Sequence, residues 1–121
     1  MEALIVHSRE VNEFYTEEGC YISETWNTDK DPDVSIAKAR VELGKTTEKH
    51  ALNGIIERYL IIKGKGLVDI EGLGGWRKVE KGDVIFIPAN STQRIKNTGN
   101  VDLEFYCICS PRFDNYSYEQ R

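Results

Sequence analysis

The chain has 121 residues, of which 40% are hydrophobic and 30% charged, and this size and composition predict one soluble globular domain over residues 1–121. Its 16 basic and 20 acidic residues give a net charge of -4 without a basic stripe carrying interleaved aromatic residues, which argues against a nucleic-acid partner. The apolar runs are too short for a transmembrane helix or a secretory signal, so we expect a cytoplasmic protein with no membrane partner.

In chain order, a turn and a loop precede a series of predicted strands. A short helical turn is expected around residues 8–14, and the polar, proline-containing residues 27–33 predict an exposed loop. Runs rich in β-branched and aromatic residues then recur between glycine-containing turns, at 34–43, 57–64, 66–72, 83–88, 92–97 and 102–110. This pattern is typical of an antiparallel sandwich or barrel, so we expect an all-β protein with helix confined to short turns.

The three cysteines, Cys20, Cys107 and Cys109, are an odd number in a chain without export signals, which predicts reduced thiols. Cys107 and Cys109 share one face of a strand with Leu103 and Phe105. That spacing would suit a soft metal ion, but cysteines on an apolar face are more often part of the core, which is the interpretation we favour.

Two predicted strands, 57–64 and 102–110, carry large apolar residues on both faces. Both faces must then be covered, either by extra N-terminal strands or by another subunit, and we predict a homodimer. Three aromatic residues near the C-terminus, Phe113, Tyr116 and Tyr118, are expected to pack on the outside of the barrel or on a partner.

Two motifs lie between residues 44 and 97. Gly44, His50, Glu57 and Gly64 are similar to the first cupin motif, G-x5-H-x-H-x(3,4)-E-x6-G, with Leu52 at the second histidine position. The second cupin motif, G-x5-P-x-G-x2-H-x3-N, resembles the segment that follows, in which these positions are occupied by Gly82, Pro88, Asn90, Gln93 and Asn97.

The chain thus resembles the cupin superfamily, and the resemblance implies a double-stranded β-helix, or jelly-roll, barrel with a core at about residues 35–111 and extra N-terminal strands. Asn90 stands at a glycine position, which an asparagine tolerates because its short amide side chain is compatible with the left-handed backbone conformation.

In the family, the motif histidines and glutamate bind one metal ion inside the barrel, which by position corresponds here to His50, Leu52, Glu57 and Gln93. Leucine cannot donate an electron pair, and an amide oxygen is a weaker ligand than imidazole. We therefore expect a weak or absent site for Zn, Ni, Fe or Mn on His50, Glu57 and Gln93, with no certain cofactor. A bound ion would then need several water ligands or an added ligand such as Glu48, which lies two residues from His50 and so on its side of the strand.

Three functions remain open, and the first is preferred. The barrel binds a small polar metabolite, sugar-like or a carboxylate, through His50, Glu57, Tyr59 and Gln93, with chemistry of the isomerase or epimerase type. In that chemistry His50 would be the general base, and Glu57 or Tyr59 would orient it or act as the acid. The alternatives are a metal-dependent dioxygenase, isomerase or lyase, and a non-catalytic ligand-sensing or dimerisation module.

One orientation is left open by the sequence. Residues 34–43 alternate so that either the row containing Ala39 or the row containing Arg40 faces the barrel interior. An inward Arg40 would favour an anionic ligand.

Overall fold

The computed structural model describes residues 1–121 and consists of eleven strands with two short 3-10 helices, Ser8–Glu10 and Asn115–Ser117. The strands in chain order are β1 (Glu13–Tyr15), β2 (Tyr21–Trp26), β3 (Ser35–Val41), β4 (His50–Leu52), β5 (Ile56–Lys63), β6 (Lys65–Ile70), β7 (Trp76–Glu80), β8 (Val84–Ile87), β9 (Gln93–Asn97), β10 (Leu103–Ser110) and β11 (Tyr118–Gln120).

The strands form two antiparallel sheets that enclose one apolar core. One sheet has the order β1-β2-β3-β10-β5-β8 and the other β11-β4-β9-β6-β7. Side chains from both sheets interdigitate between them, and the most deeply buried apolar residues include Val41, Ile61, Val68, Ile70, Ile87, Ile95, Leu103 and Phe105. The predicted all-β jelly-roll barrel with extra N-terminal strands is therefore confirmed.

Side-chain alternation along β5 positions the residues of interest. Glu57, Tyr59 and Ile61 are buried, while the residues between them are partly exposed. Strand β10 repeats this pattern at Leu103 and Phe105. Because the inward row of each strand faces the core, Glu57 and Tyr59 point into the barrel.

The turn at Asn90 behaves as predicted. Its backbone has φ +68, within the left-handed region that normally favours glycine. Its side chain also contributes, since Asn90 Oδ1 accepts a hydrogen bond from the backbone N–H of Gly54 at 3.0 Å. This contact ties the β8–β9 turn to the β4–β5 turn.

Gly66 lies opposite Asn97 in the antiparallel pairing of β6 with β9, and a Cβ atom at this position would overlap the carbonyl oxygen of Lys96 and crowd Leu103. The close approach of the two backbones therefore requires glycine.

The N-terminal region has the predicted loop and a helical turn that is shorter than predicted. Residues 27–34 form the predicted connection between β2 and β3. The helical turn covers only Ser8–Glu10, because the chain is already extended as β1 by Glu13. No helix in the structure has the length and apolar character needed to cross a membrane.

The orientation of β3 is resolved in favour of the small residues. Ala39 and Val41 face the core, whereas Arg40 lies on the outer face. There the Arg40 guanidinium forms ion pairs with Glu13 at 2.7 Å and Asp102 at 2.9 Å. Arg40 is thus outside the lumen.

Candidate functional site

A cavity of about 550 Å³ opens between the two sheets at one end of the barrel. Its wall combines apolar and aromatic side chains with several titratable ones. Those that bear on function are Glu18, His50, Glu57, Tyr59, Cys107, Cys109 and Tyr118.

His50 is held in a defined orientation on the wall. Its Nδ1 lies 2.7 Å from the backbone carbonyl oxygen of Glu48. A carbonyl oxygen only accepts, so Nδ1 carries the hydrogen of the neutral ring. The other nitrogen, Nε2, is 3.4 Å from Glu18 Oε2, and the ring stacks on Tyr118 with centroids 4.8 Å apart. The imidazole therefore presents Nε2 as its proton-accepting atom.

Glu57 is buried and incompletely hydrogen-bonded. The residue is 6% exposed, and its Oε2 accepts from the Cys109 thiol at 3.6 Å. Its Oε1 is buried without any hydrogen-bond partner. Burial, followed by the negative charge of Glu18, raises the pKa of Glu57 to about 7. Glu57 therefore holds and releases a proton near neutral pH, and one of its oxygens lacks a partner.

Tyr59 and Gln93 form a hydrogen-bonded pair beside this carboxyl group. The Tyr59 hydroxyl donates to Gln93 Oε1, and Gln93 lies opposite His50 in the β4–β9 pairing. Tyr59 reaches the cavity wall, whereas Gln93 is 1% exposed and lies behind it. Burial also raises the pKa of Tyr59 well above its usual value. The hydrogen-bond donor to Gln93 Oε1 is thus Tyr59. The ligand-binding role of both residues, the catalytic role of Tyr59 and the metal-ligand role of Gln93 stay predictions.

Two site residues lie outside both motifs, and sequence analysis did not identify them. Glu18 is in the turn between β1 and β2, where its backbone carbonyl accepts from Glu48 N–H at 2.7 Å. Its side chain is 21% exposed, and burial raises its pKa while His50 opposes that shift. Tyr118 is brought to His50 by the pairing of β11 with β4. No feature of the neighbouring sequence indicates that Glu18 or Tyr118 lies next to His50.

The cysteines and two C-terminal aromatic residues also reach the cavity. Cys107 and Cys109 are free thiols that pack with the core, as predicted, and also line the cavity, where burial raises the pKa of both. The expectation that Phe113 and Tyr118 cover the outside of the barrel is corrected, because both line this cavity. The 3-10 helix Asn115–Ser117 returns the chain to β4 and so brings Tyr118 there. Tyr116 is almost fully exposed.

The residues at the four family metal positions do not make a metal-ligand set. Leu52 packs with Ile55 and Cys109, and Gln93 Oε1 accepts from Tyr59. The carboxylate of Glu48, the expected added ligand, accepts from Gln120 at 2.5 Å on the surface. No group of three or more His, Cys, Asp and Glu side chains in the structure is arranged to hold a metal ion. The donor set is therefore poorer than the family's usual one.

Comparison with known proteins agrees with this architecture. Residues 38–109 match the family model described as the cupin domain. The uncharacterized protein MJ1618 of Methanocaldococcus jannaschii is 34% identical over 111 residues, covering 90% of this chain and 87% of that protein. The oxalate-binding protein of Thermotoga maritima is 32% identical over 72 residues, covering 60% of this chain and 58% of that protein.

Among solved structures, Pac13 of Streptomyces, a nucleoside dehydratase, superposes with a TM-score of 0.81 at 15% identity, covering 99% of this chain and 92% of that one. At this identity the likeness concerns the fold. Together with the two motifs and the family-model match over most of the chain, these findings show that the chain belongs to the cupin family.

Proposed function

We propose that the barrel binds a small, sugar-like polyhydroxylated metabolite and that His50 acts as the general base that removes a proton from it. The observation that carries this proposal is the buried, unpartnered Oε1 of Glu57 on the wall of a cavity of about 550 Å³. Buried polar atoms normally have hydrogen-bond partners, and a ligand hydroxyl group would supply the missing one. Pockets for small metabolites commonly have volumes of about 300–1,000 Å³.

The charge of the wall favours a sugar-like ligand over a carboxylate. Its charged groups are the carboxylates of Glu17, Glu18, Glu24 and Glu57, and His50 alone among the wall residues can carry a positive charge. An anionic ligand would meet like charges in partly desolvated surroundings, which is unfavourable. The neighbour Pac13 acts on nucleosides, which contain a sugar, and this supports the same ligand class.

The geometry around His50 suits proton transfer. Its Nδ1–H is held by the Glu48 carbonyl group, which leaves Nε2 to accept a proton. In an isomerase reaction, Nε2 would remove a proton from a carbon beside a carbonyl group and return it to the adjacent carbon; in an epimerase reaction, the same carbon would regain a proton with inverted configuration. Glu57 Oε1 would accept a hydrogen bond from a ligand hydroxyl group and so hold the ligand beside His50. Glu18 would stabilise the imidazolium formed on His50.

A thermal-shift screen tests ligand binding. The panel holds neutral monosaccharides, nucleosides including uridine, and carboxylates including oxalate, each with and without a chelator. We expect a sugar or nucleoside to raise the melting temperature, because a ligand that binds the folded state stabilises it. Glu57→Gln should weaken that shift, while Glu80→Gln, an exposed position on β7, should leave it unchanged. Stabilisation by oxalate alone would contradict the proposal.

Proton transfer is tested separately from binding. The bound sugar is incubated in D2O, and NMR follows deuterium entry at carbon. We expect His50→Gln to abolish incorporation while the dissociation constant changes only a few fold, because proton transfer contributes about 10²–10⁴-fold to rate. Incorporation that persists in His50→Gln would exclude this role, and binding without any exchange in the unmodified protein would favour the non-catalytic module.

The metal-dependent alternative has less support from the residues. It would rely on His50, Glu57 and Gln93, and Gln93 is engaged by Tyr59 behind the cavity wall. The comparison with and without chelator in the screen addresses it directly.

A further inference from the structure

The cavity wall carries two carboxyl groups that no lysine or arginine offsets. Glu18 and Glu57 lie on the same wall and are mostly buried, with exposures of 21% for the Glu18 side chain and 6% for Glu57. The partner of Glu18 is His50, and the partner of Glu57 is the Cys109 thiol. Carboxylates are seldom buried unless they are paired with cations. Neither of these carboxylates contacts a lysine or an arginine.

The walls around these carboxylates are aromatic. Phe14, Tyr15, Tyr59, Phe105, Phe113 and Tyr118 all line the cavity. The face of an aromatic ring attracts a cation, and the attraction is greater where water is excluded. Carboxylates and aromatic rings would thus both attract a positively charged group into the cavity.

A neutral hydroxyl group would satisfy Glu57 Oε1 but would leave the repulsion between Glu18 and Glu57 in place. An ammonium group would do both, since it donates hydrogen bonds and offsets the negative charge. Resting on the proposed function, we propose that the ligand is an amino sugar or a similar aminated polyol, with its protonated amine against Glu57 Oε1. Its hydroxyl groups then face the rest of the polar wall, including His50.

The test compares matched ligands that differ in one group. Calorimetry at neutral pH measures binding of the amino sugar, the neutral sugar and the uronate in the gluco, galacto and manno series. In the series that binds, we expect the amino sugar to bind about tenfold or more tightly than the neutral sugar, as for a hydrogen bond to a charged group, and the uronate to bind most weakly.

Variants assign the preference to one carboxyl group. Glu57→Gln should reduce the ratio of amino-sugar to neutral-sugar affinity to near unity, because the amino sugar loses a charged partner and the neutral sugar loses only one hydrogen bond. Glu80→Gln removes the same charge from an exposed strand position outside the cavity and should preserve the ratio. The preference should also persist at high salt, because a buried pair is screened less than a surface pair.

The outcomes separate this inference from the function on which it rests. A neutral sugar that binds as tightly as its amino analogue, or a ratio unaffected by Glu57→Gln, would overturn the amine assignment and leave the sugar-binding proposal standing. A uronate that binds best would overturn the charge argument for both. If no sugar or nucleoside binds, the proposed function fails and the amine assignment fails with it.

Discussion

Glu57 should make the stability of the protein fall as pH rises toward neutrality. Burial raises its pKa from 4.5 to about 7, so the folded protein holds this proton more tightly than the unfolded chain does. The contribution is therefore complete below pH 4.5 and is lost as pH rises through about 7. The difference in pKa corresponds to about 3 kcal/mol of unfolding free energy.

The measurement is urea unfolding of the unmodified protein and of Glu57→Gln at about pH 4 and about pH 8. A glutamine side chain resembles the protonated carboxyl group, so the two proteins should have similar stability at the lower pH. At the higher pH the variant should be more stable by about 3 kcal/mol. Groups outside the cavity titrate in both proteins and largely cancel. A stability difference that is equal at both pH values would refute the reasoning.

Three further predictions concern the backbone, metal binding and assembly. Gly66→Ala should lower the unfolding free energy by about 3 kcal/mol or more, because its Cβ would overlap the Lys96 carbonyl oxygen. Gly44→Ala, at φ +71 with open space around it, should lower it by only about 1–2 kcal/mol. Urea unfolding of both variants checks this, and equal losses would exclude the overlap as the cause. Calorimetric titration with zinc and nickel should give no submicromolar site; tight binding abolished by Gln93→Ala would show that the glutamine is a competent ligand. Light scattering at micromolar concentration should give the mass of a homodimer, since Val84 and Phe86 on β8 are 64% and 56% exposed; a monomer mass would contradict this prediction.

Motif spacing predicted the fold and the inner part of the site because both depend on local geometry. Alternation along β5 orients Glu57 and Tyr59 inward, and the left-handed position at Asn90 follows from its side chain. The β4–β9 pairing then brings His50 beside Gln93. The first two relations need only strand periodicity and turn chemistry, which depend on consecutive residues. The pairing of His50 with Gln93 follows instead from the positions of the two family motifs.

The rest of the site depends on contacts between distant segments. Tyr118 reaches His50 through β11, and Glu18 through a hydrogen bond between its turn and Glu48. The facing of β3 also involves distant segments, since Ala39 and Val41 pack into the core formed with other strands and Arg40 pairs on the outer face with acidic residues in β1 and before β10. The alternation within residues 34–43 is the same whether Ala39 or Arg40 faces inward, so it does not distinguish the two orientations.

The position of β10 has a kinetic consequence. It lies between β3 and β5, so the first of these strands cannot complete its pairing until residues far along the chain have joined it. Arg40 and Asp102, for example, meet across 62 residues. Pairing of this kind makes folding slow, on the order of milliseconds to seconds. Cys107 and Cys109 belong to β10, so the cavity wall is complete only once this strand has paired. A ligand of the finished cavity should therefore slow unfolding while leaving the refolding rate unchanged.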